Sequence, residues 1–547
     1  MRFCHMKTDC RDWRLFVAAL LVLLGCVSAR ANVYATNIKL NGSTNNAAIV
    51  PAGAVQISYI LNEPATAGLS VEVCSNSAVL WTTNLAGGTA GAAAGSNSVV
   101  WASDTNVAAG IYQISITAAA AGYDSWTNLT DDSANFQVTD PSGIDVNKNT
   151  NSPFYGRVFV GSAPPLDSGL PAIFKFNADG SPADEGGWSA GNYPWGMGYF
   201  PNSGEFLYSP WKIAIADDDK VYINDWSANG IVLAFDEVIS TNCLTVLNTD
   251  NYPEPGASLS GLWVTGSGTN TRIWMVDYNP SANVGIVQWT VTTNGALASN
   301  DTGTVVVAPG PNGLNEKPYD VSVDASGRIY AIQSLDGLRN TNDAGVMRVF
   351  CFPPYTGQAA TDPLWRIGSP DDSLEYAYGI AVDPTASWVA VAVRGDGSGS
   401  DTSTYQYGAV NIYYATNGQR LTSLYQGTND GFTDVAWDNV GNLYVTDLTA
   451  MVWRAYSPPG TNQATTLAVP VVQVYESLIQ PSLCAPIMSA GQFGFTLHGQ
   501  SNVTYRIEFS SDLVNWTPIA TNYDTADIRA VILPGGGDTS FYRAVAP

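Results

Sequence analysis

One phrase recurs through the middle of this chain: an apolar run, a tight turn, and a second apolar run ending in a polar residue. It reads Lys212-Ile213-Ala214-Ile215 then Lys220-Val221-Tyr222-Ile223-Asn224-Asp225. It returns as Asp320-Val321-Ser322-Val323 then Arg328-Ile329-Tyr330-Ala331-Ile332-Gln333, and as Asp434-Val435-Ala436-Trp437 then Asn442-Leu443-Tyr444-Val445-Thr446-Asp447. From Ile213 to Val221, Val321 to Ile329 and Val435 to Leu443 the step is 8 residues, so the three copies share one register. Such runs joined by a short turn are β-hairpins, and a hairpin returning every ~40–60 residues implies a radial β-propeller. Inner-strand anchors fall at Ile213, Leu262, Val321, Ile380 and Val435, with intervals of 49, 59, 59 and 55 residues. An opening blade with Val158-Phe159-Val160 and Ile173-Phe174-Lys175-Phe176 brings the count to six. Five or seven stay open, because residues 465–474 either extend the last blade or close the ring onto the first.

Pro318 through Tyr330, and Phe432 through Asp447, resemble NHL-type repeats. In both, Asp opens and Gly closes a four-residue turn (Asp324–Gly327, Asp438–Gly441), where Asp bonds its own backbone and Gly relieves the steric limit. The copy at Ile380 departs, since Asp383-Pro384-Thr385-Ala386-Ser387 lacks the glycine. The resemblance is specific for fold and silent on ligand.

The 547 residues carry 47 acidic against 23 basic side chains, a formal net charge of −24. Phosphate-backbone binding needs a basic footprint, so nucleic acid is not an expected partner. The acidic excess also suits a secreted chain kept soluble by self-repulsion. Arg2, Lys7, Arg11 and Arg14 precede an apolar run from Leu15 to Leu24, and Ala29-Arg30-Ala31 follows, which reads as a secretory signal over residues 1–31. No other stretch approaches ~18 apolar residues, so no transmembrane span is expected in the mature chain. Secretion or cell-surface location follows; Leu23-Leu24-Gly25-Cys26 resembles a lipoprotein signal, an alternative that would tether the chain through Cys26. Cys74, Cys243, Cys351 and Cys484 are scattered without a C-x-x-C pair, so a zinc site is not indicated, and buried thiols or a bridge are both open.

The expected order is all-β throughout: an Ig-like sandwich (32–140), a linker (141–155), the propeller (156–475), a linker (476–482) and a small C-terminal β-sandwich (483–547). Val55–Leu61, Leu69 to Val73, Ser98 to Trp101 and Ile111 to Ile116 alternate apolar and polar, as half-buried strands do. Tyr59-Ile60-Leu61-Asn62-Glu63, Val99-Val100-Trp101 and Ala109-Gly110-Ile111-Tyr112 resemble the Ig-like module of flagellar hook-capping proteins, which implies a spacer or assembly role. Phe493 to Leu497, Tyr505 to Phe509, Ser510 to Trp516 and Phe541 to Val545 resemble a C-terminal module of large secreted bacterial proteins, which implies sorting or surface attachment.

The only histidine beyond the signal is His498, far from the propeller, so triad chemistry lacks its base there. Nucleotide cradles and zincin motifs are also missing. Carboxylates remain: Asp225, Asp277 and Asp447 end second strands, while Asp320 and Asp434 enter inner strands. A ring of such oxygens suits Ca²⁺, and some six-bladed propellers that this chain resembles are calcium-dependent lactonases or esterases; the competing reading is turn caps and surface charge. Aromatic residues Trp188, Tyr193, Trp195, Tyr199, Phe200, Tyr208 and Trp211 crowd a Gly- and Pro-rich connection, and flat rings suit sugar faces; the competing reading is packing between blades. Asp217-Asp218-Asp219 reads as a solvated turn. The expectation is an exported, non-enzymatic recognition protein whose propeller binds an extracellular glycan or protein. The alternatives are a carboxylate- or Ca²⁺-dependent hydrolase or lyase, and a structural cell-envelope component.

Overall fold

Short apolar runs separated by Asp and Gly turns satisfy their backbone groups by pairing with the next run, and the computed structural model holds six such four-stranded antiparallel sheets. It describes residues 33–44, 46–49, 54–76, 78–101, 107–163, 171–183, 192–194, 209–226, 230–239, 243–278, 284–315, 317–334, 347–368, 374, 376–394, 408–424, 431–476, 482–489, 492–498, 504–523, 528–534 and 541–545. From the axis outward, blade 1 is Pro141–Val146, Val158–Ser162, Ala172–Phe176 and Asn192–Pro194. Blade 2 is Lys212–Ile215, Val221–Asp225, Ile231–Phe235 and Leu244–Leu247, and blade 3 is Leu259–Thr265, Arg272–Asp277, Ile286–Thr290 and Thr304–Val307. Blade 4 is Lys317–Val323, Ile329–Ser334, Met347–Phe352 and Trp365–Gly368; blade 5 is Ala377–Val382, Trp388–Val393, Ala409–Tyr414 and Arg420–Leu424. Blade 6 takes three strands in order, Phe432–Trp437, Leu443–Asp447 and Val452–Ser457, and its outermost strand from far upstream, Thr127–Asn128.

Each inner strand lies against the next, and that of blade 6 lies against that of blade 1, so the ring is closed. Across this seam Thr433 Oγ1 donates to the Pro141 carbonyl at 2.9 Å. All five expected anchors sit on inner strands, and six is the blade number.

Two boundaries differ from expectation. The segment placed in the linker, 141–155, contains the inner strand of blade 1; its Pro141 and Gly143 disguise it, yet proline is tolerated at the first position of a strand. Residues 465–474 neither extend blade 6 nor close the ring. They belong to strand Gly460–Glu476, whose Gln473 to Glu476 pairs in parallel with Asn46–Ile49. Closure falls instead to Thr127–Asn128, opposite Ser457 and Tyr456.

Contacts divide the chain into two compact units, one of Met1–Lys39, Ser58–Val99 and Gln113–Val471, the other of Leu40–Ile57, Val100–Tyr112 and Val472–Pro547. In the first, Gly68–Ser75 pairs with Ala78–Leu85 and, on its other side, Gly68 to Cys74 pairs with Gln113 to Ala119. In the second, two three-stranded sheets (Ser482–Ser489, Gln492–His498, Ile528–Pro534; Thr517–Tyr523, Thr504–Ser510, Phe541–Val545) enclose a small core of Phe495, Leu497, Tyr505 and Ile507. Residues 1–31, the expected signal, lie outside the described residues. Cys74, Cys243 and Cys351 are free thiols, and burial pushes that of Cys351 up to about 12.

The turn without glycine keeps the same shape as its siblings. Gly327 and Gly441 stand at φ +85° and +93°, and Ala386 takes that left-handed place at +53°. Asp383 holds it by accepting the Ser387 and Trp388 N–H groups at 2.7 and 2.5 Å.

The closing strand is fastened by side chains as well as backbone. Arg454 makes a bidentate pair with Asp132, Nε to Oδ1 and Nη2 to Oδ2 at 2.9 Å each. The half-buried Trp126 ring meets Trp388 at 5.6 Å and Trp437 at 6.1 Å between blades 5 and 6. Trp126→Ala is expected to cost about 2–3 kcal/mol, below the full large-to-small penalty because the ring is part-exposed; urea unfolding of the full chain measures it.

Candidate functional site

The residue just before each inner-strand anchor reads, around the ring, Gly143, Lys212, Gly261, Asp320, Gly379, Asp434. Glycine occupies odd blades and charge occupies even ones. The spacing is steric: a methyl on Gly143 would lie 2.8 Å from Lys212 Cα, one on Gly261 2.8 Å from Asp320 Cα, and one on Gly379 2.7 Å from Asp434 Cα. Only three side chains fit at this level of the axis. They meet there: Lys212 Nζ is 2.5 Å from Asp434 Oδ1 and 3.2 Å from Asp320 Oδ2, with the three side chains 2 to 5% exposed.

The same two carboxylates tie neighbouring blades. Asp320 accepts the Ile380 N–H at 3.0 Å and Asp434 the Ile144 N–H at 2.9 Å. Farther along the inner strands, Asp145 accepts the Ile215 N–H at 2.8 Å and Ser322 Oγ the Val382 N–H at 3.0 Å. Burial raises both Asp320 and Asp434, against the pull of Lys212, and Asp434 reaches about 7. Burial depresses Lys212, but the two carboxylates outweigh it and hold the ammonium above its ordinary value. Two acids share one base, so the last proton is hard to remove.

The other three predicted metal ligands do not join this cluster. Asp225 binds Ser209 Oγ; Asp277 accepts the Ser258 N–H at 3.0 Å. Asp447 accepts Gly431 N–H at 3.2 Å and receives Arg454 Nη1 at 2.6 Å. Gln333, at the corresponding place in blade 4, accepts the Asn315 N–H at 3.0 Å. Each thus ties the end of a second strand to the chain entering its inner strand, the turn-cap reading. The five carboxylates do not fit a Ca²⁺ ion: Asp320 and Asp434 already hold an ammonium, and the other three face their own loops. Among the described residues no three His, Cys, Asp or Glu side chains converge as metal ligands. Asp217 and Asp218 accept Gly266 and Gly268 N–H groups at 3.1 Å, tying the blade 2 hairpin tip to blade 3.

Aromatic rings gather where the inner strands begin. Trp211, Tyr319 and Tyr378 each stand two residues before an anchor; Trp226 and Tyr278 each follow the aspartate ending a second strand. Successive centroids are 5.3 Å (Trp211 to Trp226), 5.0 Å (Trp226 to Tyr278), 5.2 Å (Tyr278 to Tyr319) and 4.8 Å (Tyr319 to Tyr378). Trp211 and Tyr319 are buried; Trp226, Tyr278, Tyr376 and Tyr378 are half-buried. Lys317 stands 4.7 Å over the Tyr278 ring and Arg394 5.8 Å over Tyr378. Of the predicted aromatic site, Trp211 lies in this array, donating its indole N–H to Ser260 Oγ at 3.0 Å. Tyr193 lies in the outer strand of blade 1, opposite Ile173. Trp188, Trp195, Tyr199, Phe200 and Tyr208 fall outside the described residues. The sequence signal for the missed rings was present in the pairs Asp225-Trp226 and Asp277-Tyr278.

Two outcomes follow from the hub. Lys212→Met leaves two buried carboxylates without a cation and is expected to cost about 3–5 kcal/mol; Asp434→Asn, which balances the charge, costs far less, both read from thermal or urea unfolding. Burial also raises Glu63 to about 7 and Asp438 to about 6. With Asp434 these groups hold protons in the folded state that the unfolded chain releases near pH 4, so their contribution to stability is complete at low pH and falls as pH rises through about 7. The melting temperature is expected to decline from about pH 5 to about pH 8, less steeply in Asp434→Asn.

No family model matches the chain, and no curated protein matches it. Solved structures with a similar form include a gluconolactonase of Xanthomonas campestris, at 12% identity and a TM-score of 0.36, covering 59% of this chain and 88% of that one. Another is a carbohydrate-active enzyme of family AA12 from Trichoderma reesei, at 12% identity and 0.37, covering 62% and 97%. A third is a soluble aldose sugar dehydrogenase of Escherichia coli, at 9% and 0.36, covering 61% and 99%. Overlap this low says nothing about ligand or chemistry.

Proposed function

We propose that this is an exported recognition protein whose propeller binds an extracellular glycan, or a protein, at the aromatic mouth of its axis. The supporting observation is the array of Trp226, Tyr278, Tyr319 and Tyr378, drawn from four successive blades and rimmed by Lys317 and Arg394. Ring faces stack on sugar C–H groups, and the rim cations and phenols bond hydroxyls. The signal-like residues 1–31 support export. The buried hub behind the mouth contributes shape, not reacting groups.

Glycan-array binding of the full chain tests this. Trp226→Ala and Tyr278→Ala are expected to weaken the bound glycan about tenfold each, measured well below the variants' own melting temperatures because Trp226 also packs on Trp211 and Tyr319 and bonds Ser258; undiminished binding in both folded variants sinks the assignment. Sugar lactones and aldoses, after the proteins of similar form, belong in the same panel. EDTA-sensitive turnover of any of them, lost in Asp434→Asn, would replace recognition by the hydrolase reading.

A further inference from the structure

The hub divides the axis. Inner strands run from the aromatic mouth through the Lys212 level and end in hairpin turns, and at that far end all six blades line one cavity of about 440 Å³. That lies in the roughly 300–1,000 Å³ range of small-molecule sites. We infer that this cavity is a second binding site, for an uncharged polyhydroxylated ring such as a pyranose or cyclic polyol.

Its chemistry points there. Trp263 and Trp274 supply indole surface, and the Trp263 Nε1 donor is buried with no partner among the described residues. Asp145, Asp217, Asp324 and Asp383 also line it. Each is held by bonds to backbone: Asp145 by Ile215 at 2.8 Å, Asp217 by Gly266 at 3.1 Å, Asp324 by Ser326 at 2.9 Å and Asp383 by Ser387 at 2.7 Å. Asp324 and Asp383 are filled by donors from their own turns and shape the wall, whereas Asp217, with one backbone donor, keeps lone pairs for hydroxyl donors and has lost part of its rotamer freedom before binding. Arg272 at the rim is exposed, with no partner among the described residues, and Asn439 adds an amide.

Charge selects the class. Four carboxylates against Lys148 and Arg272 oppose an anion. An ammonium would find Asp145 already bound to Lys148 at 2.5 Å and Asp324 to Arg328 at 2.7 Å. A neutral ring with hydroxyls on its edge and C–H groups on its face meets neither obstacle.

The site is separate from the aromatic mouth, so variants tell the two apart. The full chain is titrated with neutral pyranoses and cyclic polyols, and with glucuronate and glucosamine as charged counterparts, followed by tryptophan fluorescence and calorimetry. The expected result is saturable millimolar binding of a neutral ring, weakened about tenfold by Trp263→Ala, weakened also by Arg272→Ala, and unmoved by Trp226→Ala. Arg272→Ala alters an exposed rim residue, which keeps the test valid should Trp263→Ala misfold. Absence of binding by every neutral ring, preference for a charged sugar, or binding that follows Trp226 and ignores Trp263 and Arg272 overturns the inference.

Discussion

A single ammonium shared by two buried carboxylates sets the geometry at the centre of this propeller. Lys212, Asp320 and Asp434 come from alternate blades, and each reaches the axis only because the blade before it carries glycine at the same height. Charge placed in a low-dielectric centre is costly unless paired and hydrogen-bonded. The arrangement meets both conditions, because each carboxylate also accepts a backbone N–H from the following blade. One cluster therefore plugs the axis, spans blades 2, 4 and 6, and reaches blades 1 and 5.

This is why the acidic residues of the repeat do not add up to a metal ring. Repetition brings equivalent positions to equal heights, but the occupant at each height differs, and only three of six positions at the hub have side chains beyond a hydrogen. The second-strand aspartates lie at the blade ends and bond to their own loops, Asp277 and Asp447 to the Ser258 and Gly431 N–H groups and Asp225 to the Ser209 hydroxyl. Side chain-to-backbone ties from Asp145, Ser322, Asp320 and Asp434 do for adjacent blades what strand pairing does within each: they satisfy polar groups where water is excluded.

Periodicity made the five later inner strands legible, because their anchors recur at intervals of 49, 59, 59 and 55 residues and in blades 2, 4 and 6 stand 8 residues before the second strand. It failed for Pro141–Val146, where Pro, Ser and Gly replace the apolar run; Gly143 is there for the backbone of Lys212, a cause visible only once two blades stand side by side. It also failed for closure, since two residues, Thr127–Asn128, carry no pattern of their own. The aromatic mouth was half legible: Trp211 was singled out, while Trp226, Tyr278, Tyr319 and Tyr378 were hidden by being spread over some 150 residues of sequence, a span that only the ring makes local.

The chain ahead of the blades is part of the disc in physical terms. Besides the closing strand, it contributes Tyr34, whose hydroxyl meets that of Tyr444 at 3.0 Å and whose ring lies 5.0 Å from Tyr155. Gly156 is as constrained as the hub glycines, since a methyl there would come within 2.6 Å of the Tyr34 ring. Blades 6 and 1, the two joined by the seam, are thus bridged from outside by Tyr34 and from inside by Asp434 and Thr433. A propeller is weakest where first and last blades meet, because no continuous chain crosses there except through its closing strand. In this protein side chains cross the seam at three places, Asp434 to Ile144, Thr433 to Pro141 and Tyr34 to Tyr444, and so hold the two end blades together beside the closing strand.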